Sequence, residues 1–587
     1  MQIKINNKIT FKKITLLSLV LAFTHSALFA QSKSVLLEPV SGSQGMVSSQ
    51  ENLASTVGLD ILKQGGNAVD SAVAVGFALA VTYPQAGNLG GGGFMMVYLA
   101  KEKKTIAIDY REMAPAAAHR DMFLDKDGKV DNEKARFSHL SSGVPGTVAG
   151  MIHALENYGT MTLQQVMAPA IDLAEKGITI TPSFHHSINR ARSRLIQNIH
   201  TRKTYFPNNE QAVDIGNLFI QSDLATTLKL IAAGGYKAFY KGEIARKISE
   251  DSLTNGGIIT LEDLANYKAL ERTPVVGRYR GYEIVSMPPP SSGGIHLIQM
   301  LNILEGWQLN KNPLQSATTI NHLVESMKRA YADRSIHLGD SDFYDVPLKT
   351  LTSKQYAAEL HQKIEKKNFV PSNEIHPGKL PVYESLQTTH FSVMDKFGNA
   401  VSNTYTLNAS YGNGRVAKGT GFIMNNEMDD FSSKPGSPNM FGLLGAGANS
   451  IEAGKRPLSS MTPTLVLKDG EIFMATGSIG GSRIITSVLQ IIINVIDYKM
   501  NIAAATVAPR FHHQWYPDVL IMEKGFNIDV LNQLGKIGYI VDAPELHGNS
   551  YTPTGASIGR VQSIVKRGKQ LKGYADPRQK GSRALGY

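Results

Sequence analysis

Alternating hydrophobic and polar positions predict a β-hairpin in the second half of the sequence. Thr389–Asp395 alternates like a strand with one buried face, and Lys396-Phe397-Gly398 supplies a tight turn. Asn399–Leu407 returns as a second strand, because it is rich in β-branched and aromatic residues. Thr388 stands immediately before the first strand. On this pattern alone Thr388 and Thr389 need no function, since threonine suits a pleated surface.

Helical periodicity dominates the region after the N-terminal segment. Gln50–Lys63 predicts a helix that ends at a pair of glycines, and Asn67 can cap a second helix that ends near residue 82. The second helix has small apolar residues on every face, so we expect it to be buried between layers. Beyond it, the pattern predicts strands at Phe94–Leu99 and Thr105–Asp109.

The rest of the chain is predicted to mix helices with strands. Residues 147–370 show mainly helical periodicity, with segments near 162–176, 222–233, 318–337 and 353–367. A second hairpin, with Asp469-Gly470 at its turn, is predicted from Thr462 to Thr476, and an apolar helix at Ser482–Asp497. Strand-rich and helix-rich stretches together suggest layers of helix, sheet, sheet and helix.

Residues 1–30 have the layout of a secretory signal peptide. Lysines precede an apolar run, Ile14–Phe23, and the small residues Ala27 and Ala30 follow it. We expect cleavage after Ala30 and export of the mature chain. An uncleaved membrane anchor is the alternative, but the apolar run is short for a membrane span of about 20 residues.

Composition removes several classes of function. The chain has no cysteine, which excludes disulfides, thiol catalysis and cysteine-based zinc sites. The formal net charge of +11 is dispersed, without the clustered basic stripe of a nucleic-acid-binding protein. The pairs His185-His186 and His512-His513 place neighbouring side chains on different faces, so neither predicts a metal site.

Thr388 gains a chemical role if the bond between Gln387 and Thr388 is cleaved. Thr388 would then carry a hydroxyl nucleophile and a free α-amine on one residue. An α-amine has a pKa of about 7.7–8.0, so a useful fraction is neutral near pH 7 and can accept the hydroxyl proton. An internal threonine has no such base beside it.

Several motifs in register carry a resemblance to a known family. The sequence resembles γ-glutamyltransferase (glutathione hydrolase), a self-cleaving N-terminal nucleophile hydrolase, and is most similar to the enterobacterial periplasmic enzymes. The motifs that carry the resemblance are Gln387-Thr388-Thr389-His390, Thr406-Leu407-Asn408, Asn425-Asn426-Glu427-Met428-Asp429-Asp430-Phe431, Lys455-Arg456-Pro457-Leu458-Ser459-Ser460-Met461 and Gly477-Ser478-Ile479-Gly480-Gly481-Ser482-Arg483.

The resemblance implies an architecture. It implies an α/β fold, a four-layer αββα sandwich of the N-terminal nucleophile hydrolase type, built as one unit from two subunits of the same precursor. After the signal peptide, residues 31–387 would form the large subunit and residues 388–587 the small catalytic subunit. The two would pair as a heterodimer, which we expect in the periplasm.

The resemblance also implies roles for individual residues. Thr388 matches the nucleophile, Thr406 a hydroxyl that supports it, and Gly480 and Gly481 the oxyanion hole. The remaining matched residues would hold the two ends of the substrate's amino-acid group: Asn408, Glu427 and Asp430 its α-ammonium, and Arg111, Ser459 and Ser460 its α-carboxylate. Without the resemblance, the acidic residues would be interpreted as a solvated turn and the serines as loop or capping residues. Asp429 is expected to support the loop.

The implied reaction proceeds through a γ-glutamyl-Thr388 ester. Glutathione and related γ-glutamyl compounds would donate the acyl group, and water, an amino acid or a dipeptide would accept it. No metal or organic cofactor is required. Two other interpretations remain open: a related acylase acting on glutaryl-type side chains, and a non-catalytic exported amino-acid-binding protein.

One departure from the family pattern concerns a loop that covers the site. Residues 435–446 match the lid loop of lidded bacterial members, but Phe441 stands where those enzymes commonly have tyrosine. A phenylalanine lid can pack over the site, but it has no hydroxyl to bond to Asn408. The gating and the balance between hydrolysis and transfer therefore stay open.

Overall fold

Two antiparallel sheets, each of seven strands, organise the part of the chain that the structure describes. The structure is a computed structural model that describes residues 37–207, 210–375, 388–434, 436–437, 439–440, 443–547 and 557–587. The predicted signal peptide, Gln387 and Phe441 lie outside these residues. The chain divides into Met1–Glu38 and Pro39–Tyr587, and the second unit is described below.

The first sheet contains the predicted catalytic hairpin and is called the nucleophile sheet. Its strands, in spatial order, are Arg583–Gly586, Gly45–Ser49, Thr389–Asp395, Ala400–Thr406, Gly92–Leu99, Lys104–Tyr110 and Leu270–Arg272. The strands of the second sheet, in spatial order, are Val40–Gly42, Gln570–Ala575, Gln562–Arg567, Glu471–Gly477, Thr464–Lys468, Tyr282–Ser286 and Val275–Tyr279. Two smaller sheets consist of Phe511–His512, Leu520–Met522 and Val541–Asp542, and of Ile178–Thr179 and Leu218–Phe219.

Helices cover the outer faces of the two large sheets. The helices of the first half of the described chain are Asn52–Lys63, Ala68–Thr82, Asn132–Phe137, Thr147–Tyr158, Leu163–Lys176, Pro182–Arg190, Arg192–Leu195, Ile199–Tyr205, Ser222–Tyr240, Glu243–Thr254 and Leu261–Asn266. Those of the second half are Gly293–Leu304, Ala317–His337, Leu348–Leu351, Lys354–Lys367, Arg483–Ile496, Ile502–Val507, Ile528–Ile537 and Pro544–His547. None of the helices in the described chain is both long and apolar enough to cross a membrane.

Alternation along the strands separates the core into layers. Met46 packs between the two sheets with Phe94 and Leu465, whereas its neighbour Val47 faces the helices that cover the nucleophile sheet. A separate core joins the second sheet to its own helices, among them Arg483–Ile496. This arrangement of helix, sheet, sheet and helix confirms the four-layer αββα prediction.

The local patterns were accurate where turns and caps are specific. The helix Ala68–Thr82 is capped by Asn67, whose side chain accepts from the Asp70 N–H at 3.0 Å, and all of its residues are buried. Asp469 and Gly470 both have positive φ, of 53° and 78°, as a tight two-residue hairpin turn requires. The predicted catalytic hairpin is also present, with Thr389 paired to Tyr405.

The middle region agrees with the prediction in one feature and differs in another. The helix predicted near 222–233 is interrupted at Gly235, which adopts a left-handed φ of 55°, and a short second helical stretch then continues to Tyr240. The region predicted as mainly helical also contains the hairpin Val275–Ser286, which forms one edge of the second sheet. Its turn uses Arg280 and Gly281 at positive φ, of 51° and 81°, and Arg-Gly is a weak hairpin signal.

Candidate active site

Most of the predicted site residues line one small pocket. Its volume is about 20 Å³, close to the space for a single water molecule. The residues that line it are Arg111, Arg334, Thr388, Thr406, Asn408, Glu427, Asp430, Leu443, Ser459, Ser460, Met461, Gly481 and Ile484. Residues that are hundreds of positions apart therefore meet around Thr388.

The catalytic hairpin sets Thr388 beside Thr406 and Asn408. Thr389 pairs with Tyr405, so one step further along the two strands brings Thr388 opposite Thr406. The Thr406 hydroxyl accepts from the Asn408 N–H at 2.8 Å, and Asn408 turns the chain with a positive φ of 70°. The Asn408 side chain donates to the Asn426 carbonyl at 2.9 Å, which fixes the orientation of its amide.

Arg111 connects the nucleophile sheet to the acidic loop. It follows the strand Lys104–Tyr110, is fully buried, and donates from Nε to the Pro457 carbonyl at 3.2 Å. Its guanidinium pairs with Glu427 and, at 2.5 Å, with Asp430. The residues predicted to hold opposite ends of a substrate are therefore paired with each other in this structure.

Two acceptor atoms in this pocket are not satisfied by the described residues. Asn408 Oδ1 and Glu427 Oε2 are buried, and neither has a hydrogen-bond partner in the described part of the chain. Both residues line the pocket beside Asp430. A buried unsatisfied acceptor is destabilising by about 1–3 kcal/mol, so this pair provides a specific place for a ligand that donates hydrogen bonds.

Crowded carboxylates leave this corner of the pocket short of positive charge. Burial raises the pKa of Glu112 to about 7, against the lowering effect of Arg111. Burial likewise raises the pKa of Glu427 well above its ordinary range, although Arg111 opposes the shift. Asp430 and Glu112 add to the increase at Glu427. An additional cation here would favour the ionised carboxylates.

Gly480 and Gly481 place backbone groups next to the start of a buried helix. Their φ angles are 126° and 55°, and the helix Arg483–Ile496 begins directly after Ser482. Neither glycine N–H donates a hydrogen bond within the described chain. Gly481 lines the pocket with Thr388. Free N–H groups at a helix N-terminus suit a developing negative charge.

Ser459 and Ser460 also line the pocket, and their hydroxyls have similar surroundings. Ser459 Oγ accepts from the Met461 N–H at 3.1 Å, and Ser460 Oγ accepts from Arg334 at 3.3 Å. Neither hydroxyl donates to another group among the residues that the structure describes. Both protons are therefore available to an acceptor in the pocket.

Comparison with known proteins now places the chain in a family. A family model described as Gamma-glutamyltranspeptidase matches residues 54–586. The glutathione hydrolase proenzyme of Escherichia coli (strain K12) is 52% identical over 553 residues, which cover 94% of this chain and 93% of that protein. The chain belongs to the γ-glutamyltranspeptidase family.

Solved structures agree with this family and with the fold. The γ-glutamyltranspeptidase of Helicobacter pylori is 47% identical with a TM-score of 0.55, covering 56% of this chain and 93% of that chain. The cephalosporin acylase of Bacillus halodurans is 26% identical with a TM-score of 0.82, covering 95% of this chain and 98% of that chain. The protein is thus an enzyme of the γ-glutamyltranspeptidase family with the predicted layered fold.

Arg334 is a residue of this pocket that the sequence analysis missed. It lies in the helix Ala317–His337 and donates to Ser292 Oγ at 3.0 Å and to Ser460 Oγ. Burial lowers its pKa to about 10. No pattern in the sequence separated it from Arg329, which lies in the same helix and pairs with Glu325 at 2.7 Å.

The described residues of the segment that follows the acidic residues contact Asp429, Asp430 and the pocket. Asp430 accepts from the Asn439 side chain at 3.0 Å, and Asp429 accepts from the Met440 N–H at 2.9 Å. Leu443 lines the pocket itself. Asp429 therefore supports this loop, as expected, and the role of Phe441 stays a prediction.

Proposed function

We propose that the protein is an autoprocessed γ-glutamyltransferase and glutathione hydrolase with Thr388 as its N-terminal nucleophile. It would cleave the γ-glutamyl amide bond of glutathione and related compounds, and pass the acyl group to water, an amino acid or a dipeptide. The two unsatisfied acceptors, Asn408 Oδ1 and Glu427 Oε2, carry this proposal, because they match the α-ammonium of a γ-glutamyl group.

Binding would exchange one set of charge pairs for another. The substrate ammonium would take the place of Arg111 at Glu427 and Asp430, and the freed guanidinium would bind the substrate carboxylate with Ser459 and Ser460. The exchange preserves the number of opposite-charge contacts, which matters in a buried pocket. A pocket of about 20 Å³ is too small for a γ-glutamyl group, so Arg111 must move during binding.

The first chemical step would transfer the acyl group to the protein. Thr388 Oγ attacks the γ-carbonyl carbon while its proton passes to the α-amine of the same residue. The N–H groups of Gly480 and Gly481 would stabilise the oxyanion, and Thr406 would orient the nucleophile. The tetrahedral intermediate collapses as the C–N bond breaks. The leaving amine takes the proton that the α-amine of Thr388 had accepted.

The second step would release the acyl group by the reverse sequence. Water or an acceptor amine attacks the γ-glutamyl-Thr388 ester and gives a proton to the α-amine of Thr388. The C–O bond to Thr388 then breaks, and this proton returns to Thr388 Oγ. Maturation would use the same oxygen on the carbonyl of Gln387. Oγ forms an ester with that carbonyl, the peptide C–N bond breaks, and the hydroxyl proton is transferred to the leaving nitrogen, which becomes the α-amine of Thr388. Water then hydrolyses the ester.

A substrate comparison tests this function against the glutaryl acylase alternative. Glutaryl anilides lack the α-ammonium, so we expect the enzyme to hydrolyse a γ-glutamyl anilide at least about tenfold faster, and to cleave glutathione. Preference for the glutaryl compound would refute the roles of Asn408, Glu427 and Asp430. Binding of glutamate without turnover of either anilide would support the non-catalytic interpretation instead.

Export to the periplasm is part of the same proposal. Cell fractionation combined with N-terminal sequencing of the large subunit should give a periplasmic protein that begins at Gln31. A large subunit that retains Met1 would contradict removal of the signal peptide.

A further inference from the structure

A second cavity lies in the described part of the chain, and it shares no lining residue with the catalytic pocket. Its volume is about 580 Å³. It opens between the start of the helix Asn52–Lys63, the end of the helix Ala68–Thr82 and the segment around Phe184. Small-molecule sites typically occupy 300–1,000 Å³, with apolar walls and a few placed polar groups.

Three polar side chains that line this cavity have an atom without a hydrogen-bond partner among the described residues. They are Gln50 Oε1, Thr82 Oγ1 and the Tyr83 hydroxyl. The three residues are 0%, 4% and 6% exposed, respectively. A protein rarely buries three unsatisfied polar atoms in one place, and such a cluster calls for a partner from outside the fold.

A hydrogen bond from the amide nitrogen of Gln50 fixes the orientation of its side-chain amide. Its Nε2 donates to the Arg560 carbonyl at 3.1 Å, and flipping the amide would put an oxygen against that carbonyl. Gln50 Oε1 is therefore the atom available to the cavity, and it can only accept. The cavity thus offers one hydrogen-bond acceptor on Gln50.

The Tyr83 hydroxyl is close to polar neighbours but unpaired. Burial raises its pKa, and the nearby Arg560 and Gln85 side chains oppose the increase. Neither side chain forms a hydrogen bond of normal geometry with the hydroxyl. The hydroxyl can therefore still donate or accept.

The cavity is also lined by a carboxylate, a lysine and several apolar side chains. Glu51 lines the cavity, and its carboxylate caps the helix Asn52–Lys63 by accepting from two backbone N–H groups at 3.0 Å. Burial raises the pKa of Glu51, whereas these two bonds and the nearby Thr82 hydroxyl oppose the increase. Lys580 lies at the exposed rim, and Leu53, Ile178 and Phe184 supply apolar wall.

We propose that this cavity binds a zwitterionic amino acid with an apolar side chain. The ammonium would donate to Gln50 Oε1 and Glu51, the carboxylate would face Lys580, and the side chain would contact the apolar wall. Thr82 and Tyr83 would complete the polar contacts. This site is separate from the catalytic pocket and does not depend on the proposed reaction.

The test uses L-phenylalanine as the probe, without any γ-glutamyl compound, so no acyl group is available for transfer. Its ammonium has three N–H groups and can donate to both Gln50 Oε1 and Glu51. Isothermal titration calorimetry on the full processed protein should show binding. N-Acetyl-L-phenylalanine lacks the ammonium and should bind at least about tenfold more weakly.

Two variants assign the binding to this cavity. Glu51→Gln keeps one carbonyl oxygen for the helix cap but removes the charge, and should weaken probe binding about tenfold. Tyr83→Phe removes an unpaired hydroxyl, so it should raise the unfolding temperature of the ligand-free protein while weakening probe binding several-fold. Hydrolysis of a γ-glutamyl anilide should not change in Tyr83→Phe.

Tyr279→Phe is the matched control. The Tyr279 hydroxyl donates to Asp497 at 2.8 Å, so its loss should lower the unfolding temperature and leave probe binding unchanged. The proposal is overturned if the probe does not bind at concentrations of about 10 mM, or if neither Glu51→Gln nor Tyr83→Phe weakens its binding. An unchanged unfolding temperature in Tyr83→Phe, without probe binding, would indicate a cavity filled only by water.

Discussion

The pocket around Thr388 and the cavity around Gln50 satisfy their buried polar groups in different ways. In the catalytic pocket, Arg111 is paired with Glu427 and Asp430, and the remaining space is about 20 Å³. In the second cavity, Gln50, Thr82 and Tyr83 have no partners among the described residues, and the space is about 580 Å³. In the proposed reaction a substrate would displace existing ion pairs in the first cavity, whereas a ligand would supply missing hydrogen bonds in the second.

The difference has opposite consequences for substitution. Removing one member of a buried ion pair leaves an uncompensated charge and is strongly destabilising. Removing an unpaired buried hydroxyl relieves a desolvation penalty and stabilises the fold. Variants in the two cavities should therefore move stability in opposite directions, and the catalytic pocket should show the larger effects.

The largest effect should come from Thr388→Ala. Without the hydroxyl there is no nucleophile for maturation or turnover, so the chain should stay intact and activity should fall by at least about 10³-fold. Denaturing electrophoresis and a γ-glutamyl anilide assay measure both effects. Probe binding in the second cavity should persist in this variant. Full activity from Thr388→Ala would refute the nucleophile assignment.

Arg111→Met should affect both activity and stability. It removes the only described cation paired with Glu427 and should lower kcat/KM by about 100-fold or more and stability by roughly 3–5 kcal/mol. Urea unfolding and steady-state kinetics test this prediction.

The double variant Arg111→Met with Glu427→Gln separates the two effects. Neutralising one stranded carboxylate should restore part of the stability but none of the activity. Recovery of activity in the double variant would contradict the proposed role of Arg111 in substrate binding.

The titration of Asp429 should make the stability of the protein depend on pH. Burial raises the pKa of Asp429 to about 6, so the folded state holds its proton longer than the unfolded state does. Its contribution to stability is present below about pH 4 and is lost as the pH rises to about 6. The stability of Asp429→Asn relative to the unsubstituted protein should therefore increase across this window, by up to about 3 kcal/mol.

Urea unfolding at several pH values measures this difference. Asp121→Asn is the control, because Asp121 is exposed and its hydrogen bond with Arg120 lowers its pKa. For this control, the difference in unfolding free energy between the variant and the unsubstituted protein should stay constant between pH 4 and 6. A flat difference for Asp429→Asn as well would show that this carboxyl does not titrate as described.

Arg334→Lys tests the carboxylate side of the pocket. Lysine cannot donate to Ser292 and Ser460 with the same planar geometry, so Ser460 should lose its orientation. We expect KM for a γ-glutamyl anilide to rise about tenfold with little change in kcat. KM for the 4-aminobutyryl anilide, which lacks the α-carboxylate, should stay the same. An equal increase for both substrates would indicate a general structural defect.

The smallest effect should come from Thr82→Val in the second cavity. Its hydroxyl lies near the Glu51 carboxylate but forms no hydrogen bond of normal geometry among the described residues, so the variant should gain up to about 1 kcal/mol of stability. Thr406→Val is the matched variant in the catalytic hairpin. It removes the acceptor for the Asn408 N–H and should lose about 1 kcal/mol. Urea unfolding measures both changes. If both variants were stabilised, or both destabilised, the predicted contrast between the two cavities would be wrong.

The sequence predicted elements whose signals are local. Asp469-Gly470 marks its hairpin because both residues tolerate positive φ, and Asn67 marks a helix start because its side chain caps the following turns. Arg280-Gly281 makes an equivalent turn, yet arginine rarely adopts positive φ, so the hairpin Val275–Ser286 was missed.

Contacts in the site are less predictable than the residues that make them. The family resemblance assigned Arg111, Glu427 and Asp430 to one site. It did not predict that Arg111 pairs with Glu427 and Asp430, because these residues lie more than 300 positions from Arg111 in the sequence. Arg334 has no motif of its own and stands in a helix with several other charges. The second cavity forms where separate segments meet, and no sequence pattern indicates such a space.

N-terminal sequencing of the small fragment tests the central claim most directly. The processed protein should yield a fragment of residues 388–587 whose first residue is Thr388 with a free α-amine, alongside glutathione hydrolase activity. A fully active protein that remains a single uncleaved chain, or a fragment that begins at another residue, would contradict the account.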